Sequence, residues 1–236
     1  MKALFDKLYN KSEESFYKIL EKDLKNDKKT FIVTANPETF MMSEKDEEMR
    51  ELLLDKNTIL VPDGIGIVKA ARMINYDVKE RIAGIDIANK LLELGNKQKK
   101  SIYLFGSKQE VIDSMKEVLK KDYPNLELVG ASNGYEKDKD KVFEKIAKEK
   151  PDIVLVALGI PLQEKLIYKH LDQFNKGIFV GVGGSFDVIS GHKKRAPKIF
   201  IKLNLEWLYR ILKEPKRLKR FYDSNVKFLF KVKKYK

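Results

Sequence analysis

The polar residues that could do chemistry in this chain stand at the ends of apolar runs. Residues 58–66, TILVPDGIG, deliver one acid, Asp63, into a glycine turn. An Asp in that place is either a general base or a turn-former, because Asp, Pro and Gly all suit turn backbones. The residues alone leave both open. Thr34, Asn36 and Glu38 follow the run at 31–33, Gln163 and Glu164 follow 153–158, and Gly183, Gly184 and Asp187 follow 177–182. Their chemistry is proton transfer by a carboxylate and anion binding by backbone N–H groups and arginines. Plainer roles stand beside each: a helix cap for Thr34 or Asn36, a surface pair between Arg81 and Asp86, a single weak phosphate turn at Gly106, and a loop plug or stacking face for Tyr135.

The elements that must position these residues are legible as alternation. Strand-like runs at 31–33, 58–62, 101–105, 126–129, 153–158 and 177–182 end in Gly, Pro, Asn, Asp or Gln, and helical patterns separate most of them. The run at 153–158 is continuously apolar, as a parallel strand buried on both faces is. This pattern predicts an α/β fold with a doubly wound, mostly parallel sheet flanked by helices, its strand ends lining a ligand crevice. Helices are expected over 38–54, 67–74, 109–121 and before Gly95, and the first 28 residues read as polar amphipathic helix with packing roles only.

Charge divides the chain in two. Residues 192–236 hold sixteen of the 48 basic residues and three of the 35 acids, which is the whole net charge of +13; residues 1–191 balance at 32 of each. We therefore expect a catalytic α/β body over 1–191 and a basic helical appendage over 192–236 where polyanions are met. There is no cysteine, and the two histidines, His170 and His192, stand apart, so neither disulfides nor a zinc centre is expected. The N-terminus lacks the apolar core of a signal peptide and no run approaches a membrane span, which predicts a cytosolic protein.

Within the appendage, residues 198–213 read as one helix and 216–236 as another. On a wheel at 100° per residue the second puts Leu218, Phe221, Tyr222, Val226, Phe228, Leu229 and Val232 on one half. Lys216, Arg220, Lys227, Lys231 and Lys234 fall on the other. Such a helix suits an anionic membrane interface, packing on the protein's own core, or a subunit contact in a homo-oligomer. Nucleic acid is the weaker partner, because no binding motif is present and the aromatics cluster for burial rather than stacking.

No G-x-G-x-x-G fingerprint follows a strand and no phosphate loop of the G-x-x-x-x-G-K type occurs, which weakens dehydrogenase, epimerase and NTPase readings. The one D-x-D, Asp138-Lys139-Asp140, lies in a lysine-rich helix start and reads as solvated surface, so no metal or other cofactor is expected.

Eight pieces in order resemble the WecG/TagA/CpsF family, glycosyltransferase family 26: Thr34-Ala-Asn36-Pro-Glu38, Pro62-Asp63-Gly64, Arg81-x-x-Gly84-x-Asp86, Leu104-Phe-Gly106, Gly159-x-Pro161-x-Gln163-Glu164, Gly181-Val-Gly183 with Phe186-Asp187, Arg195-Ala-Pro197, and Leu205-Glu206-Trp207-Leu-Tyr-Arg210 with Pro215-x-Arg217-x-x-Arg220. The resemblance implies a metal-independent, inverting transferase in teichoic acid or surface polysaccharide synthesis. It would move N-acetylmannosamine or a related sugar from a UDP-sugar donor to an undecaprenyl-diphosphate-linked acceptor at the inner face of the membrane. By motif, Asp63 would be the general base, with Thr34, Asn36 and Gln163 lining the same pocket and Arg81 holding substrate. Gly106, Tyr135, Gly183, Gly184 and Asp187 would form the UDP end; Arg210, Arg217 and Arg220 would meet the acceptor's diphosphate. The competing reading is a non-catalytic module that docks to membrane or nucleic acid through the basic tail.

Overall fold

The computed structural model describes residues 1–235. Six strands, β1 (Lys29–Ala35), β2 (Thr58–Pro62), β3 (Ser101–Gly106), β4 (Glu127–Ser132), β5 (Ile153–Ala157) and β6 (Gly177–Gly181), form one sheet in the order β2-β1-β6-β5-β3-β4. Every pairing is parallel. The expected doubly wound α/β class is what forms. β5 and β6 are buried along their whole length, which is why their sequences are apolar on both faces rather than alternating.

Helices cover both faces. α1 (Lys2–Lys7) and α2 (Glu13–Lys25) precede the sheet; α3 (Pro37–Met42) and α4 (Glu47–Leu54) join β1 to β2; α5 (Ile65–Met73) and α6 (Gly84–Gln98) lead from β2 to β3. α7 (Gln109–Asp122), α8 (Lys139–Glu149), α9 (Leu162–His170) and α10 (Ser185–Ile189) follow β3 to β6 in turn. One core gathers α1, α3, α4, α5, α8 and α9, and the other gathers α2, α6, α7 and α10. The neighbouring strands β1 and β6 therefore send the chain to opposite faces, through α3 and α10. That divergence opens a crevice at the carboxyl ends of the strands.

Several boundaries move for local reasons. The helix expected over 38–54 is two helices, because Asp46 caps α4 by accepting from the Met49 N–H at 3.0 Å. β4 does not stop at Gly130 but runs on to Ser132, paired in register with Phe105, and the Tyr103 hydroxyl bonds the Ser132 hydroxyl at 2.8 Å. Asp138 caps α8 through the Lys141 N–H, while Asp140 holds His170 and Lys169 at 2.6 and 2.8 Å. The D-x-D is thus helix-start structure.

The basic tail comprises α11 (Lys198–Lys202), α12 (Glu206–Lys213), α13 (Arg217–Phe221), a π turn over Tyr222–Val226 and α14 (Lys227–Val232). The single helix expected over 198–213 breaks at Asn204, which takes a left-handed φ of 57°. The uniform wheel over 216–236 also fails, because a π turn inserts an extra residue and rotates the apolar face. Beyond that turn Phe228 and Val232 are fully buried. Phe228 meets Phe5 and Phe40 at ring distances of 6.3 and 5.7 Å, and Lys231 pairs with Glu44. Before it Ile199, Leu203, Leu212 and Leu218 are exposed, as is Tyr222 at its start. Of the three roles left open for the tail's apolar residues, core packing is the one taken by the last part.

Candidate active site

Asp63 follows the last residue of β2, and its N–H donates to the Ala35 carbonyl at 2.9 Å, extending the β1–β2 pairing by one rung. Gly64 then takes a φ of 91°, a left-handed turn that a side chain would resist, and opens α5. The chain returns to the same strand end at Ile82, whose N–H donates to the Pro62 carbonyl at 2.8 Å. This return brings the N-terminus of α6 to Asp63, where the Gly84 N–H favours the charged carboxylate. The turn-former that its sequence allows is therefore observed. It is a turn residue, and the turn aims its carboxylate into the crevice.

Asp63 is partly buried, and surrounding protein crowds its carboxylate. Loss of hydration is the larger effect and raises its pKa above the ordinary carboxylate value; Arg81, Arg210 and the Gly84 N–H pull the other way, and Glu206 adds to the rise. The result is an acid made more basic while cations stay close, which suits a general base.

Four motif residues distant in sequence converge beside it. Arg81 Nη2 donates to Glu206 Oε2 at 2.6 Å, and Arg195 grips Asp86 with two bonds of 2.5 and 2.8 Å while its Nε reaches Glu206 Oε1 at 3.5 Å. Arg81 and Asp86 do not pair with one another; each is matched to the tail. Glu206 is buried. Burial works against its charge, yet Arg81, Arg195 and Arg210 outweigh it and hold its pKa below the usual range. The network clamps α12, and with it Arg210, over the Asp63 end of the crevice. Asp86, Arg195 and Glu206 are the residues that reading single motifs missed. Their opposite charges were visible, but nothing in the spacing shows which of them meet.

The other expected site residues separate into those that face the crevice and those that hold it. Thr34 is buried at the end of β1 and lies against Gly84, where an added Cβ would stand 3.4 Å from its methyl. Asn36 caps α3: its Oδ1 accepts from the Thr39 N–H at 3.0 Å, and Thr39 Oγ1 answers to the Asn36 N–H at 3.3 Å. That is the plainer role, and it leaves the Asn36 amide nitrogen for other use. Gln163 is buried, and its Oε1 accepts from the N–H groups of Gly159 and Gly183 at 3.0 and 3.1 Å while Nε2 donates to Glu164 at 2.8 Å. It staples the β5 and β6 loops together.

At the far end, Gly106 has a φ of 125°, and a Cβ there would lie 2.4 Å from the Ala157 carbonyl oxygen, so close passage of β3 and β5 demands glycine. The Ser107 N–H is taken by that carbonyl. Gly184 begins α10 with open space around it, Asp187 faces Lys193 at 3.4 Å, and Tyr135 is 73% exposed on the loop after β4. Among the three tail arginines, Arg217 pairs with Glu214 at 2.7 Å and Arg220 with Glu38 at 2.9 Å. Arg210 has no carboxylate within 4.0 Å among the described residues, although its charge reaches both Asp63 and Glu206. Among the described residues no cluster of three or more His, Asp or Glu is placed to hold a metal ion.

Comparison with known proteins bears on this geometry. The chain is 43% identical over 212 residues to the N-acetylglucosaminyldiphosphoundecaprenol N-acetyl-beta-D-mannosaminyltransferase of Bacillus subtilis (strain 168), covering 89% of this chain and 82% of that protein. It is 35% identical over 206 residues to the protein of the same name from Staphylococcus aureus (strain MW2), covering 87% and 80%. The Glycosyl transferase WecG/TagA/CpsF family matches residues 4–236, which span both the crevice and the clamped tail. The eight motifs expected from the sequence are thus parts of one fold, and the chain belongs to the WecG/TagA/CpsF family of glycosyl transferases.

Proposed function

We propose that this chain transfers N-acetylmannosamine from a UDP-linked donor to the sugar of an N-acetylglucosaminyl-diphospho-undecaprenol acceptor, in teichoic acid or related surface-polymer synthesis. The observation that carries the reading is Asp63: a carboxylate with a raised pKa, aimed into the crevice at a strand's carboxyl end, with Arg81 and Arg210 beside it. Asp63 accepts the proton of the attacking acceptor hydroxyl as that oxygen forms its bond to the donor's anomeric carbon, and the UDP leaves from the opposite side. One displacement inverts the anomeric centre. Thr34 and the free amide of Asn36 bound the sugar-facing wall beside Asp63. Gln163 acts by holding the Gly159 and Gly183 turns in place. Gly106, Gly184, Asp187 and Tyr135 form the nucleotide end, with Tyr135 offering its ring to a base. Charge on the departing diphosphate is met by arginine and by backbone N–H groups.

The tail supplies the membrane contact. Ile199, Leu203, Leu212, Leu218 and Tyr222 are exposed among the lysines and arginines of 193–227, which suits a peripheral position on an anionic surface. No helix of the described residues is long and apolar enough to cross a membrane. The test is release of UDP from a panel of UDP-sugars with a short-chain lipid-diphospho-N-acetylglucosamine acceptor, with chelator present. The reading expects acceptor-dependent UDP release from UDP-N-acetylmannosamine, and none from any donor would overturn it.

A further inference from the structure

Gln163 and Glu164 lie in the first turn of α9, and both side chains are buried. They stand where the sheet divides. β5 leads to α9 in one core while its neighbour β6 leads to α10 in the other, so the two loops separate just past Val182, whose N–H still bonds the Val156 carbonyl at 2.8 Å. Beyond that rung Gln163 Oε1 joins them, accepting from the Gly159 N–H at 3.0 Å and the Gly183 N–H at 3.1 Å. An added Cβ at Gly159, Gly183 or Gly184 would meet nothing within 4 Å among the described residues. These turns therefore bare their backbone to the open crevice.

The bridge works in one orientation of the amide only. Backbone N–H groups can only donate, so the amide oxygen must face the two glycines and Nε2 must face away. There Nε2 donates to Glu164 Oε1 at 2.8 Å. It also lies against the strand end, since a Cβ on Gly181 would stand 2.5 Å from it. Without an acceptor on residue 164 this buried nitrogen would go unpaired, a cost that the side chain escapes only by turning and so withdrawing Oε1 from the glycines. Glu164 shows no other bond that would explain its burial. Its Oε2 is buried without a hydrogen-bond partner among the described residues, and its neighbour Lys165 pairs with Asp46 and Glu48 instead. Burial raises the Glu164 pKa to about 7, and Oε1 accepts whether or not Oε2 holds a proton.

We infer that Glu164 is a positioning residue for the donor: by fixing the Gln163 amide it sets the spacing of the Gly159 and Gly183 turns that border the nucleotide end. The inference rests on the nucleotide end proposed above and adds what holds it in shape. A buried carboxyl with an orphaned oxygen costs the fold stability. Its one side-chain bond goes to the residue that joins two crevice loops, which is where an acid kept for the crevice rather than for the core belongs.

The full chain and three variants are compared by calorimetric binding of UDP with chelator present, by the donor KM and kcat of sugar transfer, and by thermal unfolding. Glu164→Gln keeps a carbonyl oxygen for Gln163 Nε2 and should bind UDP within about twofold of wild type. Glu164→Met keeps length and apolar bulk but offers no acceptor; it should unfold cooperatively yet bind UDP about tenfold more weakly, with the donor KM raised by a similar factor and kcat within about threefold. Glu164→Asp, whose carboxyl is one methylene short of Nε2, should share that loss, and it decides the matter if the Met variant does not fold. Wild-type UDP affinity in a folded Met or Asp variant would overturn the inference. So would an equal loss in the Gln variant, which would mark Glu164 as packing rather than orienting. The outcome is separable from the transferase reading. Unchanged UDP affinity and donor KM in the Met variant, with normal transfer by wild type, would sink the positioning role alone, whereas UDP binding that depends on Glu164 without sugar transfer by wild type would sink the transferase alone.

Discussion

The two ends of the sheet carry carboxylates of one kind in opposite states. At the amino end, Asp152 accepts from the Ser101 N–H and hydroxyl, both at 2.8 Å, and from Lys176 at 2.6 Å. Burial opposes its charge, but these bonds prevail and hold its pKa below the ordinary value. At the carboxyl end, burial prevails over the cations near Asp63, and the pKa is raised. An acid whose carboxylate accepts three strong bonds stabilises the fold. An acid left short of partners beside a crevice can take a proton from something else.

Stability against pH separates the two with opposite signs. Asp152, with its folded pKa lowered, contributes stability that is present above the unfolded value of about 3.9 and is lost as pH falls through the folded pKa. Asp63, with its folded pKa raised, subtracts stability as pH rises from about 3.9 through its folded value.

The comparison can be broken at several points. The largest effect is expected from Glu206→Ala, which leaves Arg81 and Arg195 without their shared buried anion; chemical denaturation should show a loss of about 3 kcal/mol or more, and limited proteolysis should open residues 192–222 first. Turnover should fall with it, because Arg210 loses its placement. Next is Glu164, buried, with its pKa raised to about 7 by desolvation against the Gln163 bond, and with Oε2 unpartnered. Wild type should lose about 2–3 kcal/mol of stability between pH 5 and 8 as the folded state resists ionisation, and Glu164→Gln should remove that slope while keeping an acceptor for Gln163. Smallest is Asp152→Asn at the amino end, which should cost about 1–2 kcal/mol in thermal or urea unfolding and leave kcat and KM unchanged. A kinetic defect in that variant would erase the distinction between the two ends.

How much of this could be read from the sequence depends on how local the cause is. The strands, their polar ends and the placement of Asp63 follow from short patterns, because apolar runs and turn residues act over a few positions. The Asn36 cap is equally local, with Asn-Pro-Glu-Thr carrying its own hydrogen-bond partner. The Arg81–Glu206 and Arg195–Asp86 pairs are not, since 125 and 109 residues separate the partners and any of several acids could have served. The tail was half legible: its charge and apolar content were plain. The left-handed Asn204 and the π turn, which decide which of its residues turn inward, change the helical phase that a regular wheel assumes.

The central claim is that Asp63 takes the acceptor proton rather than shaping the site. The direct measurement is Asp63→Asn, followed by acceptor-dependent UDP release and by calorimetric binding of UDP. Loss of one positioned base predicts turnover lower by about 10²–10⁴-fold, UDP affinity within about twofold of wild type, and unfolding stability at pH 7 equal to or above wild type because a disfavoured charge is gone. Turnover near the wild-type rate in that variant would contradict the account.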